Sequence, residues 1–211
     1  MAKLQDIIQW CDQTLKSPEF KDYAPNGLQI EGKTEVHKIL AAVTASQDAI
    51  DAAIRENADL LLVHHGYFWK GEAYPITGMR GKRIKSLIQH DISLLAYHLP
   101  LDSHPSLGNN AAIADLLKLE RIEALDPSER HPIGNIGYLK QPMPVEEFKT
   151  FVSEKLKFDV THLPADKNMI EKVGFCTGGA QDFIVKAAEQ GCHAYISGEV
   201  SERTFYEAKE L

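Results

Sequence analysis

The stretch ADLLLVHHGYFWKG, residues 58–71, runs an apolar segment straight into two adjacent histidines. The segment reads as a buried β-strand, with His64 and His65 at its carboxyl end and Gly66, Tyr67, Phe68 and Trp69 beyond. Neighbouring residues of a regular strand face opposite sides of the sheet, so two consecutive imidazoles share a pocket only where the strand stops. Gly66 is expected to turn the backbone there and aim both rings into one crevice. Open α/β sheets bind ligands at that carboxyl edge. Neutral imidazole suits zinc, iron, nickel or copper better than magnesium.

A second apolar stretch, in ISLLAYHLPLDSHP, ends the same way with His98 and then Asp102. Three imidazoles and a carboxylate at two strand ends form a nitrogen and oxygen ligand set for one ion or a pair. His104 follows in a proline-flanked loop and reads as a bystander. Other chemistries have weaker signatures. CTGGAQ, residues 176–181, lacks the lysine and hydroxyl residue of a phosphate-binding P-loop and the full dinucleotide fingerprint, and reads as a tight turn. There is no G-x-S-x-G nucleophile elbow.

The elements that must position these residues alternate. Leu4, Ile7, Ile8, Cys11 and Leu15 form one stripe of a helix. YAPNGLQIEG gives a turn before a short strand, and KILAAVTAS a longer one, with Ser46 as N-cap of the helix QDAIDAAIREN. Helices follow in GMRGKRIKSLIQHD and GNNAAIADLLKL. The polar stretch 121–135 reads as a junction; strands are expected at 136–139 and near 158–163, with Pro144 just inside a helix start. Strands alternating with helices imply an α/β fold with mixed sheets. A shift of 134 positions lays QDAIDAAIRENADLLLVHH on QDFIVKAAEQGCHAYISGE, matching Gln47, Asp48, Ile50 and Ala53 with Gln181, Asp182, Ile184 and Ala187 and setting His65 opposite Glu199. The chain therefore reads as two α/β repeats, residues 1–125 and 126–211, the second lacking a closing strand and helix.

With 44% hydrophobic residues the chain can bury a substantial core, and its formal charge of −7 argues against non-specific nucleic-acid binding. The three cysteines show no CxxC spacing, as expected of small buried side chains in a reducing compartment. No apolar stretch approaches the roughly 20 residues that span a bilayer, and no signal peptide opens the chain. A soluble cytoplasmic protein is expected.

YAPNGLQIEG, VTAS, LLVHHGYFWKG, AYHLPLDSHPSLGNNA, CTGGAQDFI and ISGEVSE, taken in order, resemble the YbgI-like proteins of the NGG-interacting-factor-like family, often named GTP cyclohydrolase type 2 homologs. The resemblance implies two intertwined α/β repeats with a dinuclear metal cleft between them, and a ring-shaped homohexamer. It implies His64, His65 and Asp102 as metal ligands for two divalent transition-metal ions per subunit, zinc, iron, manganese or nickel. It also implies a further His and Glu from a segment after the second-half helix, beyond Leu211. His98, where it is not a ligand, is the candidate catalytic proton shuttle. A metal-dependent hydrolase of a small-molecule or peptide-like substrate is the leading expectation. The alternative is a non-catalytic metal-binding or metal-delivery protein, or an oligomeric scaffold.

Overall fold

Residues 60–63 are buried from both sides, and this organises the first half of the chain. The computed structural model describes residues 1–211 and divides into two compact units, Met1–Leu101 and Asp102–Leu211. The first contains β1 (Ala2–Lys3), α1 (Leu4–Leu15), β2 (Gly27–Ile30), β3 (Glu35–Val36), β4 (Ile39–Thr44), α2 (Gln47–Arg55), β5 (Leu60–His65), α3 (Gly78–Gln89) and β6 (Ser93–Ala96). Its main sheet has the order β2-β6-β5-β4, with β4, β5 and β6 parallel and β2 antiparallel to β6.

Side chains of β5 and β6 alternate between two cores. Leu61, Val63, Leu94 and Ala96 pack on one face with Ile50 and Ala53 of α2 and Ile84 and Leu87 of α3. Leu60, Leu62 and Leu95 pack on the other with Leu4 and Cys11 of α1. A parallel sheet covered on both faces needs such uninterrupted apolar strands, which is why the sequence shows runs there rather than alternation. Each fully buried leucine contributes roughly 1.5–3 kcal/mol. Ser46 caps α2 as expected, its Oγ accepting from Ala49 N at 3.2 Å.

A short helix, α4 (Leu99–Asp102), leads out of the first unit. The second unit then comprises α5 (Asn109–Leu116), β7 (Glu120–Ala124), β8 (Asn135–Pro144), α6 (Val145–Leu156), β9 (Met169–Cys176), α7 (Ile184–Glu189), β10 (Ala194–Ser197) and α8 (Glu202–Glu210). Its sheet has the order β10-β9-β8-β7, with only the β9–β10 pair parallel. The polar start of the expected junction is strand β7, paired antiparallel with β8. β8 continues through Pro144, which serves as N-cap of α6 rather than its first residue. Residues 158–163 form no strand. Their composition favours one, but β8 and β9 already have sheet neighbours on both sides and Pro164 follows directly.

The repeated segment is matched in backbone pairing. The shift of 134 positions carries the Ile39–Leu60 pair onto Val173–Ala194, and the Ala42–Val63 pair onto Cys176–Ser197. β4–α2–β5 and β9–α7–β10 thus share one register within their own units.

Asp59 anchors the amino end of β5. Its buried carboxylate accepts from Lys33 Nζ at 2.8 Å and from the backbone N–H groups of His37 and Lys38 at 2.9 and 3.2 Å. The Lys33 hydrogen bond foremost, then the His37 amide, brings its pKa from the ordinary 3.8 to about 2. A depressed carboxyl stabilises the fold above its unfolded pKa and loses that contribution as pH falls through the folded one. We expect Asp59→Asn to lower stability at neutral pH by about 2 kcal/mol. In urea titrations the variant should also lack the wild type's loss of stability as pH falls from about 4 towards 2.

Candidate metal centre

β5 stays regular through His65, which pairs with Thr44 of β4, and the chain leaves the strand at Gly66, as expected. His64 and His65 nevertheless converge, with ring centroids 4.4 Å apart, because both occupy the last positions of the strand and reach over its end. Gly66 then allows a close approach. A Cβ there would lie 2.2 Å from Gln29 Oε1 and 2.7 Å from Ala96 Cβ. The space is used: Gln29 Oε1 accepts from Tyr67 N at 2.7 Å.

His98 follows β6, the strand beside β5, and joins the pair. Its ring centroid lies 5.1 Å from that of His64 and 5.7 Å from that of His65. One ligand nitrogen from each of the three rings lies within 4.8 Å of the others, a group that could hold a metal ion. The sequence expectation cast His98 as a proton shuttle; the structure places it inside the cluster. Asp102 ends α4 and belongs to the second unit, where its Oδ1 accepts from Asn109 Nδ2 at 2.7 Å and Thr177 Oγ1 at 3.3 Å.

What faces the other side of each ring decides its chemistry. His64 Nδ1 donates to the Tyr97 carbonyl at 2.9 Å, and His98 Nδ1 donates to Asp22 Oδ1 at 2.7 Å. His65 Nδ1 meets Thr44 Oγ1 at 3.3 Å. A proton on Nδ1 leaves the lone pair on Nε2, which is the state a metal-binding imidazole requires. Donation to a carboxylate also makes the ring a stronger ligand. Burial by itself would raise the Asp22 carboxyl. Hydrogen bonds from His98, Asn26 and Leu99 N outweigh it and bring the pKa down to about 2. Asp22 is therefore a carboxylate at neutral pH, fixed between two elements.

Asp22 was not legible in the sequence. It lies in a loop far from His98 along the chain, and an isolated acid before YAPNG carries no spacing signal. Asn26 in that motif was noted only for its turn. Its Oδ1 accepts from His98 N at 2.7 Å and its Nδ2 donates to Asp22, so it serves the site directly. The three aromatics after Gly66 divide. Tyr67 is buried, its hydroxyl donating to Ala45 O at 2.7 Å, and burial pushes its pKa up to about 12. Phe68 is exposed in the left-handed region at φ 65°. Trp69 turns back to the histidines, 4.9 Å from His98 edge to face and 5.9 Å from His65.

The remaining candidates are structural. His104 Nδ1 accepts from Ser106 N and Leu107 N within its own loop. The CTGG segment is a tight turn in which Gly178, at φ 76°, accepts from Ala180 N and Gly198 N. All three cysteines are unpaired, and burial raises the pKa of each thiol. None is an activated nucleophile.

The family profile for Duf34/NIF3 (NGG1p interacting factor 3) matches residues 2–211. The chain belongs to the DUF34/NIF3 family. Within it, a Haemophilus influenzae protein named GTP cyclohydrolase 1 type 2 homolog is 50% identical over 207 residues, 97% of this chain and 82% of the relative. The solved structure of protein ybgI, described as of unknown function, superposes with a TM-score of 0.92 at 42% identity, over 98% of this chain and 82% of that one. TTHA1606 from Thermus thermophilus gives 0.85 at 28% identity, over 98% and 81%. The mixed α/β fold is that of the NIF3 structures. No helix is long and apolar enough to cross a membrane.

Asp22→Asn keeps the shape of the side chain but removes the charge behind His98. We expect it to weaken cobalt(II) binding by 10- to 100-fold, roughly the loss that follows when such outer partners are changed. Competition titration against a chelator reads the affinity and circular dichroism the fold; an unchanged affinity would contradict the assigned role.

Proposed function

We propose that this protein holds two divalent transition-metal ions, zinc, iron, manganese or nickel, and hydrolyses a small-molecule or peptide-like substrate with them. The proposed ligands are His64, His65 and Asp102, with His98 as a further nitrogen ligand. The observation that carries the reading is the convergence of three imidazoles on one point. The engagement of Nδ1 on each ring supports it. A donor set led by neutral nitrogens suits zinc, iron and nickel better than magnesium or calcium, and the Asp102 carboxylate suits manganese.

Such ions supply Lewis-acid activation of a water nucleophile near neutral pH. The chain's own residues supply orientation. Tyr97 O and Asp22 hold His64 and His98 in one tautomer, so neither ring must reorganise when it binds. Trp69 closes one side of the cluster and limits water there. His98, if it is displaced from a metal, is placed to move a proton, which its bond to Asp22 favours. The GTP cyclohydrolase name of the relatives points to purine-ring opening, and a small-molecule substrate accommodates it. Assembly as a homohexamer is part of the reading. Exposed Phe68, Tyr74, Ile76 and Met79, close together along the chain, support a self-associating surface, as exposed apolar patches commonly mark interaction sites. We place the protein in the cytoplasm.

Elemental analysis tests the site first. Purified protein should carry divalent transition metal, and the His64→Ala/His65→Ala variant should lose it while keeping its circular dichroism. Full occupancy in the double variant would reject the ligand assignment. Turnover of a panel of amide, ester and cyclic-amidine substrates, abolished by chelation, then separates a hydrolase from a metal carrier.

A further inference from the structure

We infer that Arg80 is a positioning residue for the histidine site: through Glu72 it holds the loop between β5 and α3 so that Trp69 stands edge-on against His98. The inference rests on reading the cluster as a metal site, and deepens it by assigning what shapes one wall.

Arg80 lies in the first turn of α3, where the helix dipole disfavours a cation and no acidic residue offsets it. The reason for a cation there is found in the loop. Its guanidinium is largely buried and reaches three acceptors. Nη1 donates to Glu72 Oε2 at 2.7 Å, and Nη2 to the carbonyls of Ala73 and, at 3.0 Å, Pro75. A planar fork can gather a carboxylate and two carbonyls at once, which an ammonium cannot do with the same geometry.

Glu72 passes the restraint on. The same Oε2 accepts from Trp69 N at 3.1 Å, while Glu72 N donates to Trp69 O at 3.0 Å. The indole is pinned at its other end, Nε1 donating to Gly66 O at 3.2 Å. Residues 66–77 contain no helix or strand, and Phe68 holds a left-handed backbone that a bulky side chain adopts at a cost. Such a segment keeps one shape only when its surroundings impose it, and Arg80 is the side chain that spans it. Lys70 N donates to Tyr23 O at 2.6 Å, tying this loop to the one that presents Asp22. Both loops therefore converge on the His98 ring, Asp22 at Nδ1 and Trp69 at its face.

The chain has two tryptophans, so Trp10→Phe, on an exposed position of α1, leaves Trp69 as sole indole reporter. In that background we expect Arg80→Ala to raise acrylamide quenching of Trp69 in metal-free protein. It should also shift the visible bands of bound cobalt(II) and weaken its binding by about tenfold. Arg80→Lys should restore both in part, keeping the pair with Glu72 but losing the carbonyl fork. Should Arg80→Ala fail to fold, Glu72→Gln breaks the same link and should give the same two changes. Unchanged quenching and an unchanged cobalt spectrum in a folded variant would overturn the role of Arg80. Absence of cobalt binding by the parent protein would instead reject the metal reading, leaving the quenching result to decide the loop.

Discussion

A histidine ring has two nitrogens, and the chemistry of this site follows from what holds the one that faces away. Tyr97 O and Asp22 can only accept from His64 and His98, so they require a proton on Nδ1 and leave the lone pair on Nε2. The Asp22 carboxylate does so with the greater strength, because its own charge is secured by Asn26 and the Leu99 amide. Without these partners the rings could flip or exchange tautomers, and three adjacent imidazoles would be three independent side chains.

The scaffold exists to deliver those rings to one place. β5 and β6 are buried on both faces, so neither can slide by one residue without moving leucines into the wrong core. That register sets His64 and His65 at the carboxyl end of β5 and His98 just beyond the end of the parallel neighbour β6. Asp59 secures the opposite end of β5, linking it to the residues entering β4. Gly66 lets Gln29 and Ala96 approach where a side chain would forbid it, and the chain then leaves for the loop that carries Trp69. Structure and chemistry meet at that glycine.

Much of this was legible in the sequence because it is local. The apolar runs ending in histidine, the cap at Ser46 and the amphipathic stripe of α1 depend on near neighbours. The identical register of β4–β5 and β9–β10 was foreshadowed by the match of Gln47 with Gln181. What was missed is non-local or cooperative. Asp22 meets His98 only once β2 has paired with β6, and the adjacent Tyr67 and Trp69 part, one lining the core and the other the site. Residues 158–163 have strand composition but join no ladder. β7 was hidden because its side chains are mostly exposed and charged, so its pairing with β8 left no apolar signature.

Long-range nitrogen–proton NMR of the histidine rings in metal-free protein reads the position of their protons directly. We expect His64 and His98 to carry a proton on Nδ1, with Nε2 unprotonated and ready to coordinate. The opposite tautomer on both rings would contradict it, for then Nε2 would carry hydrogen and the cluster could not be a preformed metal site.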